Sequence, residues 1–168
     1  MVKFQFQVFC GMFIDMVEID KNKIAKIMEK HGVVVGYVFG SAARGTMGSH
    51  SDIDVAVLFP SDLTKEEQEI SKEEVRDEIA SIFSVEKVDI INLNQQTNPV
   101  LRYDAVLEGE AILVKDFSIK ARLARAVLRE YENTRYLRET SYKILREQVK
   151  SGQFGRAPIN SQKYVPSK

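Results

Sequence analysis

Residues 39–59 read FGSAARGTMGSHSDIDVAVLF. Gly40-Ser41 stands near one end and Asp52 and Asp54 near the other, with ten residues between the Gly-Ser pair and Asp52. Side chains at i and i+2 of a strand share one face, so Asp52 and Asp54 point one way while Ile53 and Val55 point the other. Two carboxylates side by side repel each other, and a divalent cation relieves that repulsion. Mg2+ suits such a pair, because it prefers oxygen ligands and combines one or two carboxylates with phosphate oxygens. Asp89 lies between Val88 and Ile90 in a further apolar stretch. If that stretch pairs beside 52–59, three carboxylates are enough to hold two Mg2+ ions, with Mn2+ as a substitute, for an in-line phosphoryl or nucleotidyl displacement.

Gly40-Ser41 supplies the other half of such a site. A glycine at a strand-to-helix turn lets backbone N–H groups approach phosphate, and the helix start that follows favours negative charge. Ser41 adds a hydroxyl donor. Arg44 and Arg102 are candidates for triphosphate contact, Arg44 being the better placed. Glu86 is a fallback carboxylate at the start of its strand. His50 reads as a solvated loop residue rather than a base, and Cys10 as a small core residue.

The elements that must carry these residues follow from local pattern. Alternation of Val2, Phe4, Phe6 and Val8 with Lys3, Gln5 and Gln7 predicts an extra strand over 2–9, at an edge or interface. Asp20 is a helix N-cap with Ile19 and Ile24 as a hydrophobic staple, and Gly32 ends that helix. VVVGYVF (33–39) and DIDVAVLF (52–59) are strands; Gly40-Ser41 breaks the first, and Ala42-Ala43-Arg44 is expected to start a short helix. Thr64 and Glu67 form a capping box for a helix to about Phe83, with Ile70, Ile79, Ile82 and Phe83 expected to face inward. VEKVDIINL (85–93) is a third strand. Asn98-Pro99 opens a helix that Gly109 closes, and AILV (111–114) is a fourth strand. From Phe117 the apolar residues recur at helical spacing to about Lys150, as one helix or two. This order predicts an α+β (α/β-like) fold, a small mixed sheet with helices packed on it. The expected division is an N-terminal extension (1–19), a core domain (20–116), a helical segment (117–150) and a tail (151–168).

Composition narrows the class without naming a partner. The 168 residues are 44% hydrophobic and 29% charged, as in a globular domain, and 24 Lys and Arg balance 24 Asp and Glu. No strongly basic groove is evident, so no direct nucleic-acid binding is expected. Cys10 is the only cysteine, which excludes an intrachain disulfide and fits the cytoplasm. No run of about 18 apolar residues suggests a membrane span, and MVKFQFQVFCGMF makes a poor signal peptide.

The FGSAARG…SDIDVAV form, with Asp89 on a later strand and LRYDAVLEGEAILV after it, resembles the nucleotidyltransferase superfamily that includes polymerase-β-like enzymes. Within it the chain looks like the minimal nucleotidyltransferases, the antitoxins of HEPN–MNT pairs. The signature region is 36–58; a looser likeness reaches Val114, and ARAVLREYE (124–132) is also reminiscent. The resemblance implies a nucleotidyltransferase fold, ATP as substrate and transfer of AMP to a tyrosine of a HEPN-type toxin. It also implies Asp52, Asp54 and Asp89 as catalytic and metal-binding, and Gly40, Ser41 and Arg44 as nucleotide-binding. Two other functions compete: a nucleotidyltransferase acting on a small molecule, as aminoglycoside-modifying enzymes do, and a non-catalytic module that blocks a toxin by occlusion. A homo-oligomer remains open.

Overall fold

The computed structural model describes residues 3–9, 12–46, 52–83 and 87–155. Strands β1 (Lys3–Phe9) and β2 (Met12–Glu18) pair antiparallel as a separate two-stranded sheet. The sequence pattern predicts β1 but not its partner, because MFIDMVE places Phe13, Ile14, Met16 and Val17 without strict alternation. Cys10, His50 and Glu86 lie outside the described residues, as does the tail beyond Gly155.

Helix α1 (Lys21–Lys30) begins as its cap predicts: the Asp20 carboxylate accepts hydrogen bonds from the backbone N–H of Asn22 and Lys23. Next come β3 (Val35–Phe39), the short helix α2 (Gly40–Arg44) and β4 (Ile53–Leu58). Helix α3 (Lys65–Phe83) follows, and Thr64 and Glu67 cap it reciprocally, Thr64 N–H to Glu67 Oε2 at 2.8 Å and Glu67 N–H to Thr64 Oγ1 at 3.2 Å. The chain continues through β5 (Val88–Asn92), α4 (Pro99–Tyr103), a π-helical turn (Asp104–Glu108) and β6 (Glu110–Val114). Two helices then replace the single periodic stretch, α5 (Phe117–Asn133) and α6 (Arg135–Lys150), separated at Thr134.

The main sheet has the order β5-β4-β3-β6. β3 pairs antiparallel with both β4 and β6, whereas β4 and β5 run parallel across the α3 connection. Strand alternation divides the core between two faces. Val38, Ile53, Val55 and Val57 pack with Ile24, Ile27 and Met28 of α1 and with Val75 and Ile79 of α3. Val35, Tyr37, Phe39 and Ala56 pack with Ala105, Val106, and Leu123 and Val127 of α5. The expectation for α3 is corrected in part. Ile79 is buried, but Ile70 is 61% and Ile82 47% exposed. Ile70 lies about 140° around the helix from Val75, and Ile82 sits in the last turn. His31, at the end of α1, places Nδ1 3.0 Å from Glu74 and Nε2 2.7 Å from Glu78, tying α1 to α3.

The chain divides into two compact units, Met1–Tyr131 and Glu132–Lys168. Within the second, α6 buries none of its residues and exposes Tyr136, Leu137, Tyr142, Ile144, Leu145 and Val149.

Inside the first unit, the hydroxyl of Tyr37 is buried with no hydrogen-bond partner among the described residues, and burial pushes its pKa up to about 12. An unsatisfied buried hydroxyl costs free energy that a phenyl ring does not. Tyr37→Phe is expected to leave stability unchanged or raise it by about 1 kcal/mol in urea unfolding. A loss of that size would reveal a partner for the hydroxyl.

Candidate active site

The parallel pairing of β4 and β5 sets Asp54 directly opposite Asp89. Both lie on the face that also carries Ala56 and Ile91, the face covered further along by α5. Exposure rises from Ala56, fully buried, through Asp54, partly buried, to Asp52, whose side chain is 41% exposed. The carboxylates therefore stand at the open end of a covered face.

Gly40 closes the site from the neighbouring strand. Phe39, the last residue of β3, pairs with Asp54, and Gly40 follows with φ +66°. A Cβ on Gly40 would lie 2.1 Å from Asp54 Oδ2. Sequence reasoning assigns this glycine to phosphate approach; the structure adds that its missing side chain leaves the space that the Asp54 carboxylate fills. Ser41 is next in α2, and its carbonyl accepts the N–H of Thr46 at 3.1 Å, which closes the helix. Arg44, in the last turn of α2, is exposed and contributes positive potential at Asp54. Arg102 is placed differently from the expectation of a triphosphate contact. Its guanidinium donates to Glu130 of α5 at 2.6 Å and its side chain is only 15% exposed, so its charge is already neutralised.

Burial pushes the Asp54 carboxyl above its ordinary pKa, and the neighbouring charges of Asp89 and then Asp52 push the same way, opposed by Lys87 and Arg44. Lys87 is the residue that sequence reasoning misses. It immediately precedes β5, and its ammonium donates to Asp52 Oδ2 at 2.7 Å and to Asp89 Oδ2 at 2.8 Å. The signal was present: Lys87 and Asp89 are two apart on a strand and so share a face.

Among the described residues, no three His, Cys, Asp or Glu side chains converge as a ready metal cage. The donor chemistry nevertheless fits Mg2+ or Mn2+. All three groups are carboxylates on one face, and a cationic group, the Lys87 ammonium, already stands between two of them.

Residues 22–118 match the family described as Polymerase beta, Nucleotidyltransferase. The chain belongs to this family. The match runs from α1 to the start of α5 and so contains every residue of the candidate site. A curated nucleotidyltransferase relative, the protein adenylyltransferase MntA of Shewanella oneidensis, is 30% identical over 99 residues, 58% of this chain and 67% of the relative. Among solved structures, the chain is similar to one in a crystal structure of a toxin-antitoxin with AMP-PNP. The TM-score is 0.62 and the identity 25%, over 74% of this chain and 97% of the other. A chain from a mutant of the toxin-antitoxin MntA-HpeT is 27% identical with a TM-score of 0.61, over 74% of this chain and 96% of that one.

Proposed function

We propose that this nucleotidyltransferase is an antitoxin that moves AMP from ATP to a hydroxyl, a tyrosine, of a partner HEPN toxin. The observation that carries the reading is the register of β4 and β5, which sets Asp54 against Asp89 beside the Gly40 turn. The likeness to a protein adenylyltransferase and to a toxin-antitoxin with AMP-PNP supports the substrate and the class of partner.

In this reading Asp52, Asp54 and Asp89 hold the metal. When bound there, Mg2+ supplies charge neutralisation for the triphosphate and acidifies the attacking hydroxyl. Asp89, on the strand edge and half exposed, accepts the proton of the incoming hydroxyl. The Gly40-Ser41 turn receives the phosphates, and Arg44, whose charge acts on Asp54, adds positive potential nearby. Pyrophosphate leaves against that turn. We place the action in the cytoplasm; among the described residues, no helix is long and apolar enough to cross a membrane.

The division of labour we propose makes 20–116 the catalytic domain and 117–150 a helical segment serving the partner surface. The apolar side chains that α6 exposes support this. An acceptor on a protein is favoured over a small molecule by the likeness to a protein adenylyltransferase.

Intact-mass spectrometry of the co-expressed toxin tests the reading. The toxin is expected to gain one or more increments of about 329 Da, the mass of a transferred AMP unit in nucleotidyl transfer. A toxin that is silenced but unmodified would establish inhibition by occlusion instead.

A further inference from the structure

Among the described residues, Lys87 contacts the carboxylate cluster and has no part in the proposed chemistry. Its backbone is held: the Ile53 N–H donates to the Lys87 carbonyl at 3.3 Å, which sets Lys87 beside the start of β4, level with Asp52. Alternation then puts its side chain on the carboxylate face with Asp89. The ammonium meets one oxygen of Asp52 and one of Asp89 at 2.7 and 2.8 Å. Asp54, opposite Asp89, completes a group of three carboxylates and one ammonium.

Elsewhere in the first unit, lysine ion pairs such as Lys21–Glu110 and Lys30–Glu78 join one element to another. Lys87 differs in bridging two of the acids whose mutual repulsion is the electrostatic problem of the site. An exposed lysine pair usually contributes little to stability, so holding the fold together is a weak reason for this contact. Offsetting three clustered negative charges is a stronger one. The side chain is 58% exposed, and an exposed lysine changes rotamer in picoseconds to nanoseconds, so it can leave as readily as it arrives.

We propose that Lys87 is the resident counter-ion of the carboxylate cluster, and that its ammonium must leave the position between Asp52 and Asp89 before a divalent cation can be held there. Lys87 thereby sets the cation threshold of the site. It keeps the cation-free cluster at a net charge that the fold tolerates, and it opposes occupancy at low cation concentration. This inference rests on the metal-dependent reading given above.

The test is titration of the 168-residue chain with Mn2+ alone, at fixed pH and ionic strength, following free Mn2+ by electron paramagnetic resonance. Lys87→Met keeps the length of the side chain and removes its charge; Lys87→Arg keeps the charge. Lys87→Met is expected to bind Mn2+ about 10-fold more tightly than the wild type, the order expected when a unit charge is removed from within a few ångströms of a divalent ion. Lys87→Arg is expected to stay close to the wild type. Should Lys87→Met fail to fold by circular dichroism, Lys87→Gln carries the same expectation. Equal or weaker Mn2+ binding by the uncharged variant overturns the counter-ion role while leaving the metal reading intact. If neither the wild type nor the uncharged variant binds Mn2+, the metal reading falls and this proposal with it.

Discussion

Gly40→Ala is expected to reduce nucleotidyl transfer by about 100-fold or more, the scale on which an ångström of misplacement acts in an active site. Two penalties coincide at this position. The residue has φ +66°, where an L side chain is strained by about 1 kcal/mol. The new methyl carbon would also stand 2.1 Å from Asp54 Oδ2, so the carboxylate must move. Gly45 separates the two effects. It has nearly the same conformation, φ +67°, but among the described residues nothing lies within 4 Å of the Cβ it would acquire. Gly45→Ala should therefore lose stability by a similar backbone term and keep most of its transfer activity. The comparison is made by labelling the partner with radiolabelled ATP alongside a thermal melt of each variant. If Gly45→Ala were as inactive as Gly40→Ala, backbone strain alone would explain both, and the contact with Asp54 would carry no weight.

The double variant Asp52→Asn, Asp54→Asn is expected to abolish labelling, a loss on the order of 1,000-fold or more if metal binding supplies several kcal/mol to the transition state. Its fold should survive, because neither side chain belongs to the apolar core. The single variant Asp54→Asn gives a sharper contrast. Asp54 is disfavoured as a carboxylate by burial and by its neighbours Asp89 and Asp52, while Lys87 keeps both of its partners in that variant. A carboxyl whose pKa is raised in the folded state costs stability as pH rises through that raised value. Without metal, Asp54→Asn should thus melt at the same temperature as the wild type or higher at neutral pH, while losing transfer. A variant that labels its partner fully would remove Asp54 from the metal site; one that melts well below the wild type would show that the carboxylate stabilises the fold after all.

The local part of this protein was legible from its residues. Caps at Asp20, Thr64 and Asn98 act within three residues of themselves, so their hydrogen bonds follow from spacing alone. The shared face of Asp52 and Asp54 is likewise a property of one extended segment, because alternation is a local rule. The family followed from the same stretch: Gly40-Ser41, ten residues and Asp-Ile-Asp lie within the matched region. Other features depend on elements far apart in the chain. No local signal set Asp89 opposite Asp54, since the parallel register of β4 and β5 depends on how α3 packs across the sheet. The pairing of β1 with β2, the outward turn of Ile70, and the capture of Arg102 by Glu130 across 28 residues were decided in the same way. Lys87 shows the difference most clearly. Sequence places it on a strand face with Asp89, but only the adjacency of β4 brings Asp52 to its other side, and an ammonium between two carboxylates exists only once both strands are in place. Gly40 is the same case seen from the backbone: its sequence position marks a turn, and the folded sheet alone puts a carboxylate where its side chain would be.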